Sequence, residues 1–166
     1  MKNRLSIKLS IRRLTSLLLL VFLPLTLSMA ADKTPTDSPK LTTVQSLYAL
    51  STEKQLGSEV LLERYSSESF KQALALERQV AETGMVCGSG GDIMWQSQDT
   101  DFQEAVTFAV DTEDRVVVQL SDRDTLSYVL TCEEDRCLIE DIYDFGGSVK
   151  EMLLTDCQQP ISKRRL

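Results

Sequence analysis

The chain of 166 residues contains no histidine. That absence removes the base that Ser-His-Asp and Cys-His arrangements depend on, so neither kind of nucleophilic catalysis can be built here. It also removes the commonest nitrogen ligand for zinc. The four cysteines, Cys87, Cys132, Cys137 and Cys157, are not spaced as paired CxxC knuckles, which leaves no zinc framework. Internal repeats of solenoid length are absent. Neither Asp99-Thr100-Asp101 nor Glu133-Glu134-Asp135 carries the glycine and final glutamate of a calcium-binding EF-hand loop, so both read as solvated turns. Glycines cluster at Gly88, Gly90 and Gly91, but no Lys-Ser/Thr follows and DIMWQSQD is not helical in pattern. A mobile loop, not a phosphate cradle, is expected there. Tryptophan occurs once, at Trp95 beside this loop, as a core residue or as the wall of a cleft mouth.

Long apolar runs are also missing. The one candidate, residues 14–27, is shorter than the roughly 20 residues a spanning helix needs. It follows a basic start (Lys2, Arg4, Lys8, Arg12, Arg13) and precedes Ser28-Met29-Ala30. This order predicts a secretory signal peptide over residues 1–30, cleaved after Ala30, the alternative being an uncleaved anchor. No cysteine lies near the cleavage site to take a lipid. The expected location is the periplasm, with no membrane attachment after cleavage.

Residues 1–30 hold five of the 18 basic residues and none of the 25 acidic ones, so the remainder carries 13 against 25, a net charge of −12. Such a surface repels nucleic acid and anionic lipid and favours a basic protein partner, although simple solubility is the bland explanation. An even cysteine count behind an export signal predicts disulfides. Three pairings exist. The favoured one joins Cys132 to Cys137 across a short turn and Cys87 to Cys157 near the chain end, where the longer loop gains more.

Residues 31–40 (ADKTPTDSPK) read as a flexible linker, and residues 41–158 as one domain. Thr42-Thr43-Val44-Gln45 fits a capping box that opens a helix. Val44, Leu47 and Tyr48 recur at helical spacing, and Gly57 makes this one bent helix or two pieces. Ser66 or Ser67 caps a second helix, with Glu68 in its first turn and Thr83-Gly84 at its end. The period then changes to two. Strands are expected within residues 101–110, 115–120, 125–131 and 138–145, with CEEDR (132–136) as a turn. Gly146-Gly147 breaks the last strand, and Ser148 and Glu151 cap a short helix. The basic tail, residues 159–166, reads as disordered. Helices first and an antiparallel meander of four or five strands after them define an α+β fold.

In the last strand, strict alternation places Ile139, Asp141, Tyr143 and Phe145 on one face and Leu138, Glu140, Ile142 and Asp144 on the other. Each face mixes apolar and acidic groups. Asp141 therefore borders a cleft or a partner surface, or it pairs with Arg115 or Arg123 at the rim.

LERYSSESF, GDIMWQSQDTD and VLTCEEDRCLIEDIYDFGGSVKEML together resemble an exported bacterial family of uncharacterised domains. The matching pieces are Arg64-Tyr65, Gly91-Asp92, Gln98-Asp99, Ile139-Glu140-Asp141-Ile142 and Met152-Leu153-Leu154, over residues 44–155. Cys137 stands where that family usually has tryptophan. The resemblance implies a nuclear-transport-factor-2-like (cystatin-like) cone of helices on a curved antiparallel sheet. It further implies an immunity protein, since some such proteins neutralise secreted peptidoglycan-degrading toxins.

These readings converge on a non-enzymatic periplasmic binding protein that needs no cofactor and meets a basic partner. The expected contact residues are Glu133, Glu134, Asp135, Asp141, Tyr143 and Asp144. The alternatives are a small-ligand module with an apolar pocket, or a lyase or isomerase using Asp141 or Asp99 as base and Tyr143 or Tyr128 as acid. Neither the identity of the partner nor an oligomeric state follows from the sequence.

Overall fold

The structure, a computed structural model, describes residues 38–88, 90–120, 124–134 and 136–158. The expected signal peptide, most of the linker, the basic tail, Asp135 and Arg123 lie outside the described residues.

The fold is α+β. Three helices, α1 (Pro39–Lys54), α2 (Ser58–Tyr65) and α3 (Glu68–Ala81), precede five strands: β1 (Val106–Val110), β2 (Val116–Leu120), β3 (Thr125–Glu133), β4 (Arg136–Asp144) and β5 (Gly147–Ser148). Helix α4 (Val149–Asp156) follows. The sheet is an antiparallel meander in the order β1-β2-β3-β4-β5.

Helix α1 starts earlier than the capping box placed it. Pro39 sits in its first turn, where a fixed φ and a missing N–H cost nothing. Thr42, expected at the start, instead lies inside the helix, and its neighbour Thr43 donates its hydroxyl to the Pro39 carbonyl at 2.9 Å. The helix ends at Gln55 in the left-handed region (φ 52°), so residues 41–65 form two helices, not one bent one. The start of α2 is capped from a distance. Asp92 accepts the Ser58 N–H at 2.7 Å and, through its other oxygen, the N–H groups of Met94 and Trp95. Ser67 caps α3, accepting the Phe70 N–H at 3.4 Å and donating to Glu140 at 2.9 Å.

One face of the sheet is apolar. Val116, Val118, Leu120, Leu126, Tyr128, Leu130, Ile139 and Ile142 are all buried and meet Val44, Leu47, Leu62, Phe70 and Leu153 from the helices. Trp95 belongs to this core and not to a cleft mouth. It is 2% exposed, and its indole N–H donates to Ser51 Oγ at 2.8 Å. Strand β1 is shorter than expected because residues 101–105 turn, and Phe102 packs edge-on to Trp95. Gly147, with φ +109°, lets the chain double back as β5, a strand the glycine pair had concealed.

Candidate functional site

The β3–β4 hairpin is the longest feature of the sheet. Both strands have nine residues, whereas β2 has five and pairs β3 only over residues 125–128. Residues 129–133 and their β4 partners therefore run past β2 as an arm. The turn is tighter than the CEEDR reading: Cys132 lies opposite Cys137 and Glu133 opposite Arg136, leaving only residues 134 and 135 between them. Glu134 takes a left-handed φ of 53°, as a two-residue hairpin turn demands. A disulfide joins Cys132 to Cys137, and a second joins Cys87 to Cys157, matching the favoured pairing. Glu133 and Glu134 are exposed at the tip, beyond the bridge.

Strict alternation fails in β4. The register shifts between Val129, opposite Asp141, and Leu130, opposite Ile139, so Glu140 is an extra residue in a β-bulge. Ile139 and Ile142 consequently both reach the core, and Asp141 and Tyr143 face away from it. Asp141 is not a surface group, because β5 and the start of α4 cover it. It is 7% exposed and accepts the Ser148 hydroxyl at 2.6 Å, the Ile142 N–H at 2.8 Å and the Lys150 N–H at 3.0 Å. Its role is to tie the start of α4 to the sheet. Arg115, one of the two arginines expected to pair with it, is held instead by Asp111 at 2.8 Å, and Arg123 lies outside the described residues.

Six residues anticipated as one contact surface thus separate. Glu133 and Glu134 occupy the arm's tip. Tyr143 and Asp144 lie at the far end of β4, about 20 Å or more away at roughly 3.3 Å per strand residue. Asp141 is sealed, and Asp135 lies outside the described residues.

The proposed proton-transfer groups separate too. Tyr128 is buried on the core face, with its hydroxyl 2.9 Å from that of Tyr48, which in turn donates to the Met94 carbonyl at 2.7 Å. Burial pushes both phenols up, further from proton transfer near neutrality. Asp99 is exposed on the loop after Trp95, and Tyr143 faces the opposite side of the sheet from Tyr128. Among the described residues, no three His, Cys, Asp or Glu side chains converge as a metal-holding group.

One group escaped the sequence reading. Glu77, on α3, lines a cleft of about 320 Å³ between α2, α3 and the glycine loop. Leu62, Leu74, Met85 and Ile93 supply apolar walls. Loss of hydration in the cleft, and secondarily the nearby Glu59 carboxylate, raise the Glu77 carboxyl above its ordinary value. Gly88 (φ +71°) closes against it, since a Cβ there would lie 2.8 Å from Glu77 Oε1 and 2.6 Å from Leu153 Cδ2. Only the glycine cluster hinted at this cleft from sequence.

Comparison with known proteins finds no matching family model, no similar curated protein and no similar solved structure.

Proposed function

We propose that this is a non-enzymatic binding protein of an oxidising exported compartment, the periplasm, and that the tip of the β3–β4 arm is its recognition element. The carrying observation is the clamped tip. Glu133 and Glu134 stand exposed beyond the Cys132–Cys137 bridge, and neither makes an ion pair. A disulfide one residue from the tip lowers the conformational entropy lost when a partner docks. The partner is a basic protein, because two uncompensated carboxylates on an acidic chain steer positive surfaces and repel negative ones. Two disulfides fit the export reading. The resemblance to exported immunity domains supports a toxin that degrades peptidoglycan as the partner.

The test is capture from an envelope extract on immobilised protein, comparing wild type with Glu133→Lys/Glu134→Lys. The reading expects a basic protein retained by wild type, released by moderate salt and lost in the double variant. Equal retention by both proteins, or a deletion strain no more sensitive to competing neighbours, would count against it. A second reading rests on the Glu77 cleft, whose size and apolar walls suit a small ligand with a hydrogen-bond donor or an amine. It gains if an apolar molecule co-purifies and the Glu77→Gln variant releases it.

A further inference from the structure

We infer that a groove on the flank of the arm, next to its tip, binds the anionic group of a carboxylate- or phosphate-bearing small molecule. Arg136, opposite Glu133, brings this site next to the acidic tip, but the inference does not rest on the function proposed above. The groove, about 700 Å³, runs between α1, the end of α2 and the start of β4. Its walls include Thr42, Ser46, Arg64, Tyr65, Arg136 and Leu138, with no carboxylate among the described lining residues, although Arg136 and Leu138 also share a neighbouring depression with Glu133, Glu134 and Glu140.

That composition is unexpected for this chain. Acidic residues outnumber basic ones by 25 to 18, and a random arginine on such a surface should find a carboxylate. Lys40, Lys54, Lys71, Arg78 and Arg115 do so. Among the described residues only Arg64, Arg136 and Lys150 form no ion pair, and two of these three share the groove. Arg136 remains unpaired although Glu133 lies directly across the hairpin. The Arg64 guanidinium is 5.6 Å from the centre of the Tyr65 ring, a contact that orients it without consuming its donors.

The neighbouring groups fit the same chemistry. Thr42 and Ser46 lie one turn apart on α1, so their hydroxyls can donate along one line. Thr43 is already committed to the Pro39 carbonyl. The first turn of α1 contains no acidic residue, so nothing there opposes a bound anion. Guanidinium forks match the paired oxygens of carboxylate and phosphoryl groups, and Leu138 with Tyr65 offers an apolar wall for the rest of the molecule.

The probes are inorganic phosphate and succinate, titrated into isotope-labelled protein at constant ionic strength while amide shifts are followed. The expected result is a saturable shift confined to residues 39–46, 64–65 and 136–138 for at least one probe, with none from sodium chloride. Preference for phosphate assigns a phosphoryl ligand, and preference for succinate a carboxylate. Arg64→Gln and Arg136→Gln each weaken binding about tenfold or more, the loss of one charge-assisted contact. Arg64→Lys, which keeps the charge but not the fork, weakens it too, whereas Arg78→Gln leaves it intact. Non-saturating shifts, or equal binding by Arg64→Gln/Arg136→Gln, overturn the inference while leaving the tip reading standing.

Discussion

Replacing Cys87 and Cys157 by alanine should cost about twice as much stability as replacing Cys132 and Cys137. The first bridge closes 70 residues of sequence and the second closes 5. A cross-link lowers the entropy of the unfolded chain by a constant plus a term logarithmic in loop length. On that account the long bridge contributes about 4 kcal/mol at 25 °C and the short one about 2 kcal/mol. Lost packing does not reverse the order, because each pair has one buried member (Cys157, Cys137) and one half-buried member (Cys87, Cys132). Equilibrium urea unfolding followed by circular dichroism measures both losses. The denaturant slope provides an independent reading, since an unfolded chain freed of the long loop exposes more surface and the slope should rise most in Cys87→Ala/Cys157→Ala. With a total of about 5–15 kcal/mol to draw on, that variant becomes marginal while Cys132→Ala/Cys137→Ala stays folded. Equal losses, or a larger loss from the short bridge, would refute the reasoning and place the stabilisation in native contacts.

Four further substitutions probe the packing and the Glu77 cleft. Tyr48→Phe should destabilise by about 2–3 kcal/mol and Tyr128→Phe by about 1 kcal/mol, because the first strands both the Met94 carbonyl and the Tyr128 hydroxyl while the second removes one hydrogen bond. A reversed order in urea melts rejects this wiring. Gly88→Ala should cost about 2 kcal/mol or more, combining a left-handed φ with a Cβ driven into Leu153 and Glu77. An unchanged melting temperature would mean that the glycine loop does not close as described. The raised Glu77 carboxyl means that the unfolded chain releases this proton more readily than the folded one. Folded-state stability is therefore undiminished below the ordinary value of 4.5 and falls as pH rises through the raised value. Glu77→Gln should raise the melting temperature near pH 7 and leave it unchanged well below the ordinary value, and a pH-independent difference contradicts the cause given.

Local signals that coincide with tertiary packing were readable from sequence. Ser67 and Ser148 cap the helices they were expected to cap, because a short oxygen-bearing side chain before an apolar stripe has few other uses. The alternation in β2 survives intact because its neighbours cover one face evenly. In β4 alternation misleads. A bulge at Glu140 inverts the pattern halfway, and nothing in LIEDIYDF marks which residue is extra. Asp141 was legible as an acid among apolar neighbours but not as a buried acceptor, because two of its donors come from Ser148 and Lys150, beyond a turn whose path the sequence leaves open. Asp92 was hidden for the same reason: it caps a helix 34 residues earlier in the chain.

These two aspartates alter what the acidic composition means. Asp92, Asp101, Asp111, Asp141 and Asp144 each accept a backbone N–H, so much of the aspartate content organises turns and helix starts and is not free surface charge. Glu53, Glu63, Glu68, Glu113 and Asp114 are occupied by lysine or arginine. A net charge of −12 beyond residue 30 therefore overstates how much acid a partner could meet, and it does so unevenly. Turn aspartates are consumed where the chain bends, whereas glutamates, with one more methylene, reach past the backbone donors beside them. Glu133 and Glu134 make no ion pair or side-chain hydrogen bond among the described residues, and neither does Glu59, which lines the Glu77 cleft. On this chain the informative acids are the glutamates left without a bond, just as the informative cations are Arg64 and Arg136.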